Sequence, residues 1–279
     1  MVLQRSFSRP RPHYPILLLF FLLSISSCNR SFTRMEYKKG EEAAEKQNFE
    51  KAIVHFENAM RRDPESAEAL DSARATSRIA MFDLKKYLTA IKSHQHLVKF
   101  SQQESERRDA QKKIAEIYFE KLADYPKAIE EYNKLLLLQN STQEIVNFRF
   151  ALARAHFYLN QFAEAQSEIE SSLKLIETDD PQKFDQLMFL GNVFFNTKKV
   201  DLAIEVYNRV IKDFPKRAAD ENVEMNVIVC YEELEQFDRA IELLEKLRSS
   251  YRDPEFIDLK IKRLKERKAN LPGSRGLRK

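Results

Sequence analysis

Glycine and cysteine are scarce in this sequence, with 4 and 2 residues respectively among 279. Few glycines and almost no alternation of polar and apolar residues favour an all-α chain. Two cysteines provide no disulfide framework. A glycine-rich phosphate loop, an HExxH zinc motif and a serine at a strand-to-helix elbow are also missing. We therefore expect a helical protein that is not an enzyme and has no catalytic residues.

The histidines do not indicate a metal or cofactor site. His94 and His96 are two residues apart on a predicted helix, so their side chains leave on diverging faces. A zinc-binding pair on a helix needs a spacing of three or four residues. His55 and His156 lie beside packing positions of a repeated motif. We expect no metal and no cofactor.

A short motif recurs along most of the chain: KAIVHFENAM, KAIEEYNKLL, LAIEVYNRVI and RAIELLEKLR each pair an alanine with an isoleucine and a later large residue. The copies align on six alanines, 37 or 38 residues apart: Ala52, Ala90, Ala128, Ala165, Ala203 and Ala240. The apolar spacing i, i+1, i+4 predicts one buried stripe of a helix. Alanine is expected where two helices approach too closely for a larger side chain.

A second, earlier helix precedes each of these marker alanines. Its small position, twelve residues before the alanine, is Gly40, Ala153 and Gly191 in three copies but Arg78, Glu116 and Ile228 in the others. The pattern resembles the tetratricopeptide repeat, most closely in Leu190, Gly191, Phe194, Ala203, Tyr207 and Pro215, and next in Gly40, Ala52, Phe56, Ala59 and Pro64. The copy around Ala90 is degenerate.

The resemblance covers about residues 33–254 and implies a right-handed α-solenoid of about six helix pairs over residues 35–254. The repeats exceed the usual length of about 34 residues. We assign the additional residues to the connections between repeats, where Ser101 with Glu104 and Ser141 with Glu144 are typical of capping boxes and Asp180-Pro181 of a helix start.

The C-terminal segment is basic. Residues 255–268 predict a capping helix with Ile257, Ile261 and Leu264 on one face, and residues 269–279 predict a flexible tail. Residues 259–279 hold nine lysines or arginines against Glu266 alone. This charge suggests contact with anionic lipid, glycan or an acidic partner, the alternative being a solvated tail. Nucleic acid is not expected, because the N-terminus directs the chain away from it.

The N-terminus has the pattern of a secretory signal. Three arginines precede the apolar run ILLLFFLLSI at residues 16–25, which is shorter than the roughly 20 residues of a membrane span. The following Ile25-Ser26-Ser27-Cys28 resembles the bacterial lipobox. The resemblance implies a signal peptide at 1–27, acylation of Cys28 and a short tether at 28–34. Asn29, directly after the cysteine, implies that the chain is located at the outer membrane and faces the periplasm. Cleavage near Ser26 and an uncleaved anchor are the alternatives. With Cys28 acylated, Cys230 is expected to be a small buried side chain.

In the tetratricopeptide-repeat family, which this chain resembles, the first helix of each repeat lines a concave groove. The residues on the exposed face of that helix are expected 18, 15, 11, 8 and 7 positions before the marker alanine. The candidate groove residues of the fourth to sixth repeats are Asn147, Phe150, Arg154, Phe157, Tyr158, Asp185, Met188, Asn192, Phe195, Asn196, Asn222 and Met225.

Asparagine is a poor residue for a helix interior, so the four asparagines indicate binding of an extended peptide backbone by their amides. The alternative is that the asparagines are solvated and the aromatics Phe157 and Phe195 pack against neighbouring repeats. Arg154 is the one cation among these groove positions, which departs from the family's carboxylate clamp.

These features indicate a lipid-anchored, non-enzymatic scaffold for a protein or peptide partner. It resembles the outer-membrane repeat lipoproteins that assist barrel assembly and the pilotins that assist secretin assembly. An adaptor that organises peptidoglycan-modifying enzymes is the nearest alternative, and the substrate-binding arm of a hydrolase is a remote one.

Overall fold

The computed structural model describes residues 14–177 and 180–271, and within these ranges every regular element is helical. The helices are α1 (Tyr14–Glu45), α2 (Phe49–Arg62), α3 (Ala67–Arg78), α4 (Tyr87–Phe100), α5 (Glu104–Glu116), α6 (Tyr125–Leu136), α7 (Thr142–Tyr158), α8 (Phe162–Leu173), α9 (Gln182–Asn196), α10 (Val200–Asp213), α11 (Pro215–Asp220), α12 (Val223–Glu233), α13 (Phe237–Leu247) and α14 (Pro254–Ala269). Two π-helical turns, Ile79–Asp83 and Ile117–Lys121, continue α3 and α5. The predicted all-α fold is confirmed.

The helices form six antiparallel pairs, each joined by a short turn. All six marker alanines lie on the second helices and are completely buried, with 0% of their surface exposed. In the first and fifth pairs the first helix carries glycine at the closest approach. A Cβ on Gly40 would lie 2.5 Å from the Phe56 ring, and one on Gly191 would overlap the Tyr207 ring. The alanines and glycines therefore allow the two helices of a pair to pack closely.

The turn inside every pair has the same backbone conformation. The residue five positions before each marker alanine has a positive φ of 50° to 61°: Gln47, Lys85, Ala123, Asn160, Lys198 and Glu235. In four pairs this turn is closed by a backbone bond of the Schellman type, such as that from the Asn48 amide to the Ala43 carbonyl (2.8 Å). None of the six residues is glycine, so helix packing sets this conformation.

The second and third pairs contain one extra residue in the first helix. Their closing bonds run from Lys86 to Ala80 (2.7 Å) and from Asp124 to Tyr118 (2.9 Å), which span six residues instead of five. The π-helical turn accommodates the insertion. The small position therefore lies thirteen residues before the alanine, at the buried Ser77 and Ala115. The prediction that placed Arg78 and Glu116 there is wrong by one residue.

Of the predicted helix starts, the capping box of Ser141 and Glu144 is confirmed. The carboxyl oxygen of Asp180 accepts a bond from the Gln182 amide at the start of α9 (2.8 Å). The Ser101 capping box is wrong, because α5 starts after Gln103 and the Ser101 hydroxyl donates to Glu106 instead (2.5 Å).

The chain divides into two compact units, residues 1–131 and 132–279. In the second unit, one buried cluster joins α7–α12, and another joins α12, α13 and α14. The helix after the last repeat is α14, and its residues Ile257, Ile261 and Leu264 are buried. The short α11, which buries Ala218 between α10 and α12, was not predicted.

The first helix begins before the repeats. α1 is continuous from Tyr14 to Glu45, so residues 28–34 are helical and rise by about 10 Å, whereas an extended tether would reach roughly 20 Å. The side chain of Cys28 lies outside the described residues, as do residues 1–13 of the predicted signal peptide. Within the described ranges, no helix has the length and apolar character that crossing a membrane requires.

Candidate functional site

An aromatic cluster joins the first helices of the fourth and fifth pairs. The Phe157 ring on α7 meets Phe162 at 5.4 Å and Phe189 at 5.3 Å between centroids, and Phe150 meets Phe189 at 5.7 Å. All these contacts are edge-to-face, the geometry that aromatic pairs favour. Phe150 and Phe157 are half-buried, so one part of each ring is used for packing and another remains at the surface.

Phe189 was missed by the sequence analysis. It precedes Ala203 by fourteen residues and therefore falls between two of the positions used to read the groove. Its signal in the sequence was an aromatic side chain between Met188 and the Leu190-Gly191 pair of the repeat pattern. The cluster shows that ring contacts between neighbouring repeats, and not single-repeat positions alone, shape this surface.

Arg154 and Tyr158 lie at the edge of this cluster on α7, where Arg154 is half-buried and Tyr158 is exposed. The guanidinium of Arg154 lies 5.9 Å from the centre of the Phe150 ring, within the range of a cation–π contact. Tyr158 packs its ring edge on Phe157 at 6.3 Å and still exposes 51% of its surface. A cation and a large exposed ring therefore adjoin each other above a half-buried aromatic floor.

Two of the predicted asparagines have internal roles. The Tyr207 hydroxyl donates to the side-chain oxygen of Asn192 (2.7 Å). The Asn196 side-chain amide donates to the backbone carbonyl of Asn192 (2.8 Å). Within the described residues, the Asn192 amide NH₂ and the Asn196 side-chain oxygen have no partner, so each asparagine retains one polar group for a ligand.

Two other polar candidates, Asp185 and Asn147, are paired with residues outside the predicted groove set. Asp185 on α9 accepts from the Arg217 guanidinium (2.5 Å), which also lies 3.9 Å from the centre of the Phe184 ring. Asn147 accepts from Gln143 (3.2 Å). The Asp185 bond joins α9 to α11, the Asn147 bond lies within α7, and both occupy groups that were predicted to face a peptide.

Asn222 does not lie on a first helix. It precedes α12 and has a left-handed backbone with φ 55°, a conformation that asparagine tolerates better than most residues. Its prediction as a groove residue of a helix is therefore wrong. The other apolar candidates, Met188, Phe195 and Met225, are half-buried and pack against the two clusters of the second unit.

The basic residues of α14 are largely paired with the sixth repeat. Lys260 and Arg267 pair with Glu232, and Lys268 pairs with Asp238 (2.5 Å). Much of the predicted basic surface is thus neutralised by acidic residues of α12 and α13. Residues 272–279 of the tail lie outside the described part of the chain.

Cys230 is completely buried on α12. Burial raises the pKa of its thiol to about 11, so the reactive thiolate is disfavoured. The prediction of a small packing side chain is confirmed. In the described ranges, no three histidine, cysteine, aspartate or glutamate side chains form a cluster that could hold a metal ion.

Comparison with known proteins identifies the repeats. Residues 150–218 and 227–254 each match a family model described as tetratricopeptide repeat. Hsp70-Hsp90 organizing protein 2 of Arabidopsis thaliana is 27% identical over 218 residues, covering 74% of this chain and 34% of the relative. The chain thus spans about a third of the length of this curated relative.

Two solved structures share the fold at low identity. YrrB, a tetratricopeptide-repeat protein with an unusual peptide-binding site, is 18% identical with a TM-score of 0.51, covering 75% of this chain and 97% of its own. PilW, a type IV pilus biogenesis factor, is 13% identical with a TM-score of 0.50, covering 81% and 97%. The chain contains tetratricopeptide repeats and has the all-α fold of tetratricopeptide-repeat proteins.

Proposed function

We propose that this chain is a non-enzymatic scaffold that binds an extended segment of a protein partner along α7, α9 and α12. The observation that carries the proposal is the edge formed by the half-buried Arg154 and the exposed Tyr158 at the aromatic cluster of Phe150, Phe157 and Phe189. A few residues carry most of the binding energy at protein interfaces, and tyrosine and arginine are enriched among them. The remaining amide groups of Asn192 and Asn196 are suited to bonding a peptide backbone.

The partner belongs to the bacterial envelope in this proposal, and the chain is anchored there through an acylated Cys28. The support is the lipobox-like Ile25 to Cys28 segment after a short apolar run. Two or three acyl chains suffice for stable anchoring. YrrB and PilW share only the fold with this chain, so they support the scaffold class and leave the partner to experiment.

Acyl labelling tests the anchor. Cells that produce the wild type, Cys28→Ala or Cys230→Ala are fed an alkyne-tagged palmitate, and the purified chain is examined for the label. We expect the label in the wild type and in Cys230→Ala, and its loss in Cys28→Ala together with release from the membrane fraction. Wild-type labelling of Cys28→Ala contradicts acylation at this residue.

Affinity purification from detergent-solubilised membranes tests the partner. Mass spectrometry of proteins retained by the wild type is compared with that of Tyr158→Ala, a change at an exposed position that we expect to preserve the fold. Barrel or secretin subunits lost in Tyr158→Ala support a role in assembly of envelope complexes. Loss of amidases instead supports an adaptor for peptidoglycan-modifying enzymes. If the wild type and Tyr158→Ala retain the same proteins, the proposal that the partner binds in the groove is contradicted.

A further inference from the structure

The two π-helical turns of the first unit border a cleft that the sequence did not indicate. The cleft has a volume of about 350 Å³ and lies between α3 and α5 with their π-helical extensions. Met81, Phe82 and Ile117 provide its apolar walls, and arginine, lysine and glutamate side chains form its rim. Because π-helical insertions often occur at functional sites, this cleft is a candidate for ligand binding.

Phe82 is the most conspicuous residue of the cleft. It exposes 76% of its surface, and no aromatic or cation–π contact is found for its ring in the described part of the chain. Fold stability gains little from a phenylalanine in this position, since burial of apolar area is the source of its contribution. Together with Met81 and Ile117 it lines one cleft, and a contiguous exposed apolar surface is typical of an interaction site.

The cations of the rim differ in their pairing. Arg74 is bound by Asp71 (2.5 Å) and by Glu106 (2.7 Å), and Lys113 is bound by Glu116 (2.7 Å). Lys121 lies 4.0 Å from Glu120. Arg78 forms no ion pair with any of the described residues. The cleft thus offers one unpaired guanidinium next to an apolar wall, a charge that is complementary to a carboxylate.

The corrected register relates this cleft to the groove of the second unit. Arg154 and Tyr158 precede Ala165 by eleven and seven residues, whereas Arg78 and Phe82 precede Ala90 by twelve and eight. The additional residue of the π-helical turn accounts for the difference of one. Arg78 and Arg154 therefore lie at equivalent positions of a first helix, and an exposed aromatic follows each by four residues, Phe82 within the π-helical turn and Tyr158 at the end of α7.

We propose that the cleft between α3 and α5 is a second protein-binding site, which takes a segment with an apolar side chain next to a carboxylate. The side chain packs on Met81, Phe82 and Ile117, and the carboxylate pairs with Arg78. All residues that line this site belong to the first unit, whereas the groove along α7, α9 and α12 belongs to the second.

Selection from a library of seven-residue peptides displayed on phage tests the site. The protein is immobilised as the wild type, and the selected peptides are then synthesised and titrated against Phe82→Ala, Arg78→Glu and Tyr158→Ala. We expect peptides that combine an aromatic or large aliphatic residue with aspartate or glutamate. Phe82→Ala and Arg78→Glu should each weaken their binding about 10-fold or more, and lower salt should enlarge the effect of Arg78→Glu.

The matched control is the pair Leu88→Ala and Lys92→Glu on α4, an exposed apolar residue and an exposed cation that are also four residues apart. These changes should leave the affinity within about twofold of the wild type. Peptides without acidic residues, affinities unaffected by Phe82→Ala, or equal losses in the α4 control overturn the proposal. Peptides that depend on Tyr158 alone overturn this second site while supporting the groove of the second unit.

Discussion

The Tyr207 hydroxyl donates a hydrogen bond of 2.7 Å to the side chain of Asn192, which makes this asparagine part of the fold as well as of the candidate groove. The Tyr207 ring is buried, and burial raises the pKa of its hydroxyl, so the group stays protonated and needs an acceptor. A buried donor left without its acceptor costs more than the net value of the bond.

We therefore expect Asn192→Ala to lower the free energy of unfolding by about 1 to 3 kcal/mol. Addition of Tyr207→Phe should recover part of this loss, because the unpaired hydroxyl is then removed. Urea unfolding of the two single variants and the double variant provides the measurement. Simple addition of the two losses contradicts a direct role of the hydrogen bond.

The contact of Gly40 with Phe56 gives a second prediction. A Cβ on Gly40 would lie 2.5 Å from the Phe56 ring, so Gly40→Ala should destabilise the first unit by about 1 to 3 kcal/mol. In the sixth pair the equivalent positions are the buried Ile228 and Leu244. The sixth pair thus combines a larger side chain on its first helix than Gly40 with a smaller one on its second helix than Phe56.

Phe56→Leu should consequently be less harmful in the Gly40→Ala background than in the wild type. Thermal unfolding followed by circular dichroism measures all four proteins. A Gly40→Ala variant that unfolds at the wild-type temperature shows that the two helices can separate without cost, contrary to this packing.

The third prediction concerns pH. Burial lowers the pKa of His94 from 6.5 to about 4, with a smaller contribution in the same direction from Lys113 and an opposing one from Glu116. The Ser77 hydroxyl lies 2.7 Å from Nε2 of His94, and Nδ1 is buried without a partner among the described residues. The unfolded chain therefore binds a proton at His94 more readily than the folded chain does.

The stability that neutral His94 contributes is complete above pH 6.5 and is lost progressively as the pH falls towards 4. The hydrogen bond with His55 lowers the pKa of Glu36 to about 2. The contribution of Glu36 to stability is therefore lost only below about pH 4.5. Urea midpoints between pH 7.5 and 5 should therefore fall in the wild type and fall less in His94→Phe. Burial also lowers the pKa of His96, so part of the pH dependence of the urea midpoint should remain in His94→Phe. Identical slopes contradict the assignment.

The buried stripe of the second helices was predictable because an alanine recurs six times at a spacing of 37 or 38 residues. The first helices were harder to read. The additional residue of the π-helical turns is hidden within the 38-residue spacing, and its signal is the small Ser77 or Ala115 one position before the expected site. The ends of the first helices could not be predicted either. The left-handed residue that ends such a helix is usually glycine, but here it is a residue such as Lys85 or Glu235.

The candidate groove was predicted in part, because contacts between repeats cannot be read from a single repeat. Position alone identified Arg154 and Tyr158, which lie at the edge of the aromatic cluster. It did not show that Asp185 is paired with Arg217. It also could not separate an asparagine that adopts a left-handed turn, Asn222, from one on a helix.

The most direct test of the scaffold account is site-specific photo-crosslinking in living cells. A photoreactive phenylalanine derivative replaces Tyr158 on α7, or Glu205 on the exposed face of the second helix α10 as the control. We expect irradiation to join the Tyr158 position to a defined envelope protein, identified by mass spectrometry, and to give no such product at Glu205. A crosslinked product at Glu205 alone, or none at the Tyr158 position, would contradict the account.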